Sequence, residues 1–385
     1  MKMTFEKHIF MIAGEASGDL LGARLMGALQ AEKLDLLFSG IGGDMMARHG
    51  LKSIFPMEDL SVMGLAEVLP KLSVLYARII ETSDKILREN PDVVVSIDAP
   101  DFCFRVIKRL RRKGYQGKCV HYVAPSVWAW RPGRAKKVAK FLDHLLCLLP
   151  FEPPYFEKHG LPATFVGHSI IESHLPTDGS LFREMYDVPA DKRIILLLPG
   201  SRSGEIDRHL SLFVKTAEAL SVMHDDLLFV LPTLPHLKAR IEGEIENKAA
   251  KIIVIDNESA KSNAFNAADF AIAASGTVAL ELALADVPSL ISYRMNFLTG
   301  LIAKKLVKTD HVALPNIILG EEVMPELLLS AAKEENLIHI TDSYLSNPTF
   351  PAMQKQKFRQ IRERITPEKG MQPSEKAAKI ILEIL

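Results

Sequence analysis

The sequence predicts an α/β protein of two doubly wound parallel-sheet domains facing a cleft, with a helical tail. Three observations predict it. Short β-like runs alternate with helical patterns through the first half, the mark of parallel βαβ units. The rhythm breaks over His168–Asp191, where Pro176, Asp178, Gly179 and Pro189 read as a linker with one short helix, and then restarts. The loop after the first run of each half is nearly a copy: IFMIAGEASGD around Gly14 and ILLLPGSRSGE around Gly200. Gly14 matches Gly200, Ser17 matches Ser203, Gly18 matches Gly204 and Asp19 pairs with Glu205. An apolar run, a glycine turn and a helical pattern make a cradle for phosphate or nucleotide, because backbone N–H groups and a helix N-terminus face the anion.

In chain order, strands are expected at His8–Ala13, Leu36–Ile41, Val93–Ile97, Lys118–Val123, His144–Leu149 and Thr164–Val166. Helical periodicity lies between most of them, near Asp19–Ala31, Glu67–Arg88, Phe102–Lys113 and Arg131–Phe141. In the second half, strands are expected at Ile194–Leu198, Leu227–Leu231, Ile252–Ile255, Phe270–Ala273 and Ser289–Ser292. The helices there are Gly204–Met223, Pro235–Asn247, Ala260–Asn266 and Thr277–Leu284. From Pro351 the chain is helical and charged, and Pro367, Gly370 and Pro373 split it in two. The domains are thus expected over 1–170 and 171–350, with a tail over 351–385 that packs on its own domain or crosses to the other.

Composition bounds the function. A hydrophobic content of 48% with 24% charged residues is ordinary for a soluble globular protein. Lys+Arg and Asp+Glu both number 47, so no global field favours nucleic acid and an anionic partner must meet a local basic patch. The three cysteines, Cys103, Cys119 and Cys147, form no CxxC, which argues against zinc or a disulfide framework and suits a reducing compartment. The N-terminus has no cleavage-type small-residue site, and no stretch approaches the roughly 18 apolar residues of a membrane span. A cytoplasmic protein is expected, free to touch a membrane surface. The twelve histidines show no paired ligand spacing, so no metal and no cofactor are expected.

Several segments can carry chemistry. VVVSIDAPDF places Asp98 just past a buried-type strand, where parallel sheets present functional groups, and a carboxylate there can deprotonate an attacking hydroxyl. Its neighbour Asp101 is assigned the helix cap. In PGSRSGE, Gly200 and Gly204 keep the backbone close while Arg202 can place a forked guanidinium on a diphosphate; the plain alternative is a surface arginine in a turn. In AIAASGTVALELAL, Ser275, Gly276 and Thr277 stand at a helix start. Glu281 lies one turn further on the same face, where a carboxylate can accept ribose hydroxyls or simply meet solvent. YVAPSVWAWRPGRAKKVAK joins Trp128 and Trp130 to Arg131, Arg134, Lys136 and Lys137, suited to a sugar, to lipid headgroups and phosphates, or to an aromatic core beside a solvated basic face. LSVMGLAEVLPKLSVLYARII carries Val62, Met63, Leu65, Val68, Leu69, Leu72, Leu75, Tyr76 and Ile79 with much helical spacing. Such a stripe is ordinarily core, and can otherwise lie on a membrane or accept acyl chains. MNFLTGLIAKKLVK, Met295–Lys308, poses the same choice.

Together GEASGD, DLSVMGLAEVLP, SIDAPDF, HYVAPSVWAW, LPFE, FVGHS, LLPGSRSGEI, ASGTVALE, SYRM and LVKTDHVALPN resemble the lipid-A-disaccharide synthase family over nearly the whole chain and in order. ASGT is common among sugar transferases, whereas HYVAPSVWAW and SIDAPDF are far more specific. The resemblance implies two Rossmann-like domains of the GT-B type, the first for the lipid acceptor and the second for the UDP-sugar. It implies inverting transfer of 2,3-diacylglucosamine from UDP-2,3-diacylglucosamine to the 6-hydroxyl of 2,3-diacylglucosamine 1-phosphate. The products are a β(1→6)-linked disaccharide 1-phosphate and UDP, a step of lipopolysaccharide synthesis on the cytoplasmic face of the Gram-negative inner membrane.

Carried onto this chain, the resemblance makes Asp98 the general base. Gly200, Arg202, Ser275, Gly276, Thr277, Glu281 and Asn316 fall on the donor side. Gly14, Glu15, Ser17 and Gly18 are acceptor-side loop candidates, and Val62, Met63, Val68, Leu69, Leu72 and Leu75 become candidates for the membrane or acyl chains. Cys103 departs from the pattern, which has asparagine after PDF. A homodimer stays open. The rivals are a UDP-sugar epimerase of similar architecture, a dinucleotide-dependent oxidoreductase and a non-catalytic membrane-surface protein. Against the oxidoreductase, GEASGD lacks GxGxxG spacing and no acidic residue closes a second strand.

Overall fold

The computed structural model describes residues 7–32, 34–60, 65–173, 178–294 and 309–385, with backbone alone over 65–72 and at 369. Two parallel sheets, each of six strands among these residues, organise the chain. The first joins β1 (Lys7–Ala13), β2 (Leu36–Ile41), β3 (Val93–Ile97), β4 (Lys118–Tyr122), β5 (His144–Cys147) and β6 (Ala163–Phe165) in the order β2-β1-β3-β4-β5-β6. Alternation along β1 sends Phe10 and Ile12 into one core and Ile9, Met11 and Ala13 into the other. All five residues of β3 are buried, as expected for a strand covered on both faces and therefore written as the near-continuous apolar run VVVSI.

The second sheet joins β7 (Arg193–Leu198), β8 (Leu227–Pro232), β9 (Ile252–Ile255), β10 (Phe270–Ala274), β11 (Ser289–Tyr293) and β12 (Glu326–Leu328) in the order β12-β11-β10-β7-β8-β9. Strand order reverses at β1/β3 in the first sheet and at β7/β10 in the second. Loops at the carboxyl ends of such a pair diverge and leave a crevice for ligands.

Two compact units result: Met1–Ser169 with Ile365–Leu385, and Ile170–Arg364. Residues 351–385 are divided between the two units, the change falling at Arg364/Ile365. Helix Thr349–Ile365 belongs to the second unit, where Gln354 is buried and bonds Ser289 N, Ser289 O and Val323 O at 2.7, 3.0 and 2.8 Å. After Pro367, helix Pro373–Ile384 returns to the first unit and packs Ala377, Ala378 and Ile381 into the core beside Leu25 and Leu29.

The repeated loops start their helices earlier than the pattern suggests, at Ala16 and Ser203, so Asp19 and Glu205 stand in first turns. Asp19 is buried and accepts from Gly43 N, Met45 N and Met46 N at 2.8, 2.9 and 3.1 Å, tying the β1 helix to the turn after β2. A side chain on Gly43 would strike that carboxylate at 2.6 Å. Asp19→Ala strips three N–H groups, one buried and two part-buried, of a charged acceptor and is expected to cost about 3 kcal/mol, read by urea unfolding. A loss below about 1 kcal/mol would show that water replaces the carboxylate there.

Candidate active site

At the first switch point the loop after β1 meets the loop after β3. Asp98 leaves β3 with φ 50°, and Ala99 follows at φ 40°. The left-handed pair turns the Asp98 carboxylate back on its own loop, where Oδ1 accepts from Ala99 N at 2.9 Å. Ser17 Oγ donates to Oδ2 at 3.1 Å. Gly14 is required here, because a Cβ would lie 2.7 Å from that of Ala99. Gly18 lets the helix close on the sheet, since a Cβ would come to 3.2 Å from Ile97 O. Glu15 is exposed at the N-cap of helix Ala16–Ala31. The structure thus brings Gly14, Ser17, Gly18 and Asp98 together around a half-exposed carboxylate. Beneath them Cys103 is buried, and burial, with the nearby Asp98 carboxylate, pushes its thiol up.

The cap assigned to Asp101 is not found. Ala99 is the N-cap of helix Pro100–Arg112, no side chain caps it, and Asp101 is nearly fully exposed, 3.5 Å from Arg134. The left-handed turn at Asp98–Ala99 moves the helix start back by two residues, past the position a capping Asp101 would need.

At the second switch point a pocket of about 460 Å³, open to solvent, is lined by Gly200, Arg202, Ser275, Gly276, Thr277 and Glu281. Loops after β7, β8, β9 and β10 all reach it. Gly200 has φ +122°, and a Cβ would meet Glu205 at 2.4 Å. Glu205 Oε2 takes the N–H groups of Ser201 and Arg202 at 3.0 and 3.2 Å. Two of the loop's anion-binding N–H groups are therefore occupied by the chain itself, and the guanidinium of Arg202, 79% exposed, is what this loop offers to a ligand. Gly276 has open space beside it and Thr277 is the N-cap of helix Val278–Leu284, without a side-chain capping bond.

Three pocket groups escape sequence reasoning. Lys261 Nζ pairs with Glu281 Oε2 at 2.6 Å and Glu258 Oε1 at 3.4 Å. Burial lowers its ammonium pKa, yet the Glu281 and Glu258 carboxylates outweigh this and hold it above the ordinary lysine value. Glu281 is thus an ion-paired rim group rather than a free carboxylate. Thr233 Oγ1 is buried beside the pocket with no hydrogen-bond partner among the described residues, the kind of orphan a ligand satisfies. The signal for Thr233 was its place at the end of β8.

Asn316, a donor-side candidate, lies at the turn before β12. It is fully buried, Nδ2 donates to Met324 O and Glu326 Oε1 at 2.8 and 2.9 Å, and Oδ1 accepts from Val323 N and Met324 N at 2.9 and 2.8 Å. With all four positions used, it orders the turn into β12. Leu75, an acyl-chain candidate, packs partly buried against the first core, while its neighbours Val74 and Tyr76 are exposed. Val62, Met63 and the segment 295–308 lie outside the described residues, as do the side chains of Val68, Leu69 and Leu72. No helix among the described residues is long and apolar enough to cross a membrane.

The tryptophans divide. Trp130 is 40% exposed under the Arg131 guanidinium at 4.3 Å, whereas Trp128 donates to Glu152 Oε1 at 3.1 Å. Glu152 is buried, and burial raises its carboxyl to about 7 despite bonds from Leu149 N and Trp128. An acid raised in the folded state holds its proton more tightly there, so its contribution falls as pH rises from its unfolded value near 4.5 to about 7. Glu152→Gln is expected to abolish that decline, so that its stability relative to wild type improves by roughly 3 kcal/mol from pH 4 to pH 8. Parallel unfolding curves for the two proteins across this range would contradict the assignment.

Two Rossmann-like sheets with loop-built sites at their switch points define the GT-B class of enzymes. Solved structures share this fold. A UDP-GlcNAc 2-epimerase from Neisseria meningitidis bound to UDP-GlcNAc matches with TM-score 0.66 at 11% identity, over 98% of each chain. MurG of Acinetobacter baumannii matches with TM-score 0.59 at 15% identity, over 98% of this chain and 99% of that one. The sequence is more specific: the family model described as lipid-A-disaccharide synthetase matches residues 9–382. A lipid-A-disaccharide synthase from Rhodospirillum centenum is 46% identical over 379 residues, 98% of this chain and 94% of that protein. The chain belongs to the lipid-A-disaccharide synthetase family, glycosyltransferases of lipid A biosynthesis. The epimerase alternative is not favoured, because its likeness extends to the fold alone.

Proposed function

We propose that the chain carries 2,3-diacylglucosamine from UDP-2,3-diacylglucosamine onto the 6-hydroxyl of 2,3-diacylglucosamine 1-phosphate, inverting the anomeric carbon. Asp98 takes the proton of the attacking hydroxyl, and Ser17 holds the carboxylate in place. Arg202 and the Ser275–Thr277 turn stabilise the negative charge that grows on the departing UDP. Glu281, fixed by Lys261, and Thr233 receive polar groups of the nucleoside. Gly200 and Asn316 keep the loops in shape without touching substrate. The observation that carries this reading is the half-exposed Asp98 at one switch point, in a chain whose second switch point holds a nucleotide-sized pocket.

The lipid substrates place the protein on the cytoplasmic face of the inner membrane as a peripheral enzyme, and the exposed Val74 and Tyr76 support that placement. The test is turnover of UDP-2,3-diacylglucosamine with and without the lipid phosphate, read by mass spectrometry. A disaccharide phosphate formed only with both lipids is expected. Conversion of the donor alone would mark an epimerase, and UDP binding without product would mark another UDP-sugar enzyme.

A further inference from the structure

A second cavity, of about 460 Å³ and open to solvent, begins two residues beyond Asp98 on the first unit and has no part in the proposal above. Helix Pro100–Arg112 supplies Arg105 and Lys108 to its wall, and the segment 131–137 supplies Arg131, Arg134 and Lys137. Its one acid is Asp101, which reaches only Arg134 and is almost wholly in solvent, where an ion pair is worth little. Arg105, Lys108, Arg131 and Lys137 have no carboxylate partner among the described residues. The chain as a whole is neutral, so this is a local concentration of positive charge rather than a share of a basic surface.

The cations are also held in place. Lys108 Nζ lies 5.0 Å from the centre of the Phe141 ring, the Arg134 guanidinium 5.5 Å from that of Phe104 and the Arg131 guanidinium 4.3 Å from that of Trp130. Burial, followed by repulsion from Arg134, Lys137, Arg112 and Arg105, pushes the Lys108 ammonium below the ordinary lysine value. Among the described residues only the exposed Asp101 sets a negative charge beside the groove, and it pairs with Arg134 alone. A multiply charged anion would relieve that repulsion, and arginine forks match phosphate oxygens.

We propose that this groove binds the phosphate monoester of the sugar acceptor and so presents the acceptor's free hydroxyl to Asp98. The inference rests on the transferase reading. It makes Arg105, Lys108 and their neighbours the determinants of acceptor choice: a sugar lacking the phosphate forfeits a dianionic anchor.

The test is the double variant Arg105→Gln/Lys108→Gln, whose exposed side chains leave the core untouched, with folding checked by thermal melting. In neutral detergent micelles the KM for the lipid phosphate is expected to rise about tenfold or more, with the KM for the UDP donor unchanged. Preference for the phosphorylated over the dephosphorylated acceptor is expected to fall by a similar factor. An unchanged acceptor KM and preference would overturn the proposal. So would unchanged micellar kinetics with lost binding to phosphatidylglycerol vesicles, which would assign the groove to membrane headgroups. A wild type that makes no disaccharide would defeat the transferase reading instead. The groove is then read by titrating glucosamine 1-phosphate and following its phosphorus NMR signal: binding lost in the double variant supports the phosphate site, and no binding to wild type overturns it.

Discussion

Asp98→Asn is expected to lower kcat about 10³-fold while leaving UDP binding and thermal stability near wild type. The substitution is close to isosteric, and asparagine tolerates the left-handed backbone that Asp98 adopts at φ 50°. Its amide oxygen still accepts from Ala99 N, and its NH2 can donate to Ser17 Oγ, which then accepts rather than donates. The geometry survives and the basicity does not, so the loss reads the proton transfer itself. Ser17→Ala makes the complementary measurement: the carboxylate stays but loses one tether, and a loss of about tenfold is expected. Turnover by Asp98→Asn within tenfold of wild type would remove Asp98 from the base role.

The fold was readable because its signals are local. Buried parallel strands are short, apolar and β-branched, and the glycine turns that follow them are written in adjacent residues. β12 escaped because three residues, Glu326–Leu328, are too few to show a period, and the strand gains its place only by pairing with β11. The backbone of the candidate site was readable where a glycine turn follows a strand, as at Gly14 and Gly200.

The site was illegible where partners are distant in sequence. Asp19 and Glu205 occupy the same place in the repeat, yet one reaches across to Gly43 and the other folds onto its own loop. Gly18 is squeezed against Ile97 O, while a Cβ on Gly204 would meet only the flexible end of Arg208. Lys261 has no local mark, because its meaning comes from Glu281, twenty residues away. The bonds of Asn316 were equally hidden, because a polar residue in a motif does not disclose its partners at Val323, Met324 and Glu326.

Arg202→Ala is expected to reduce kcat/KM by about 10²-fold and to weaken UDP binding about tenfold. The argument turns on Glu205. Because its carboxylate already holds the N–H groups of Ser201 and Arg202, the turn after β7 has little backbone charge left for a diphosphate, and the guanidinium must supply it. The side chain is mostly exposed and its one ion pair, 3.4 Å to Glu205 Oε1, lies at the surface, so the melting temperature should stay where it is. Arg202→Lys keeps the charge and loses the fork, and should recover part of the binding and less of the rate, since bidentate geometry matters most as charge gathers on the leaving oxygen. Wild-type kinetics in Arg202→Ala would move that duty to the Ser275–Thr277 turn and Lys261. In that case Lys261→Met should show the loss that Arg202→Ala did not.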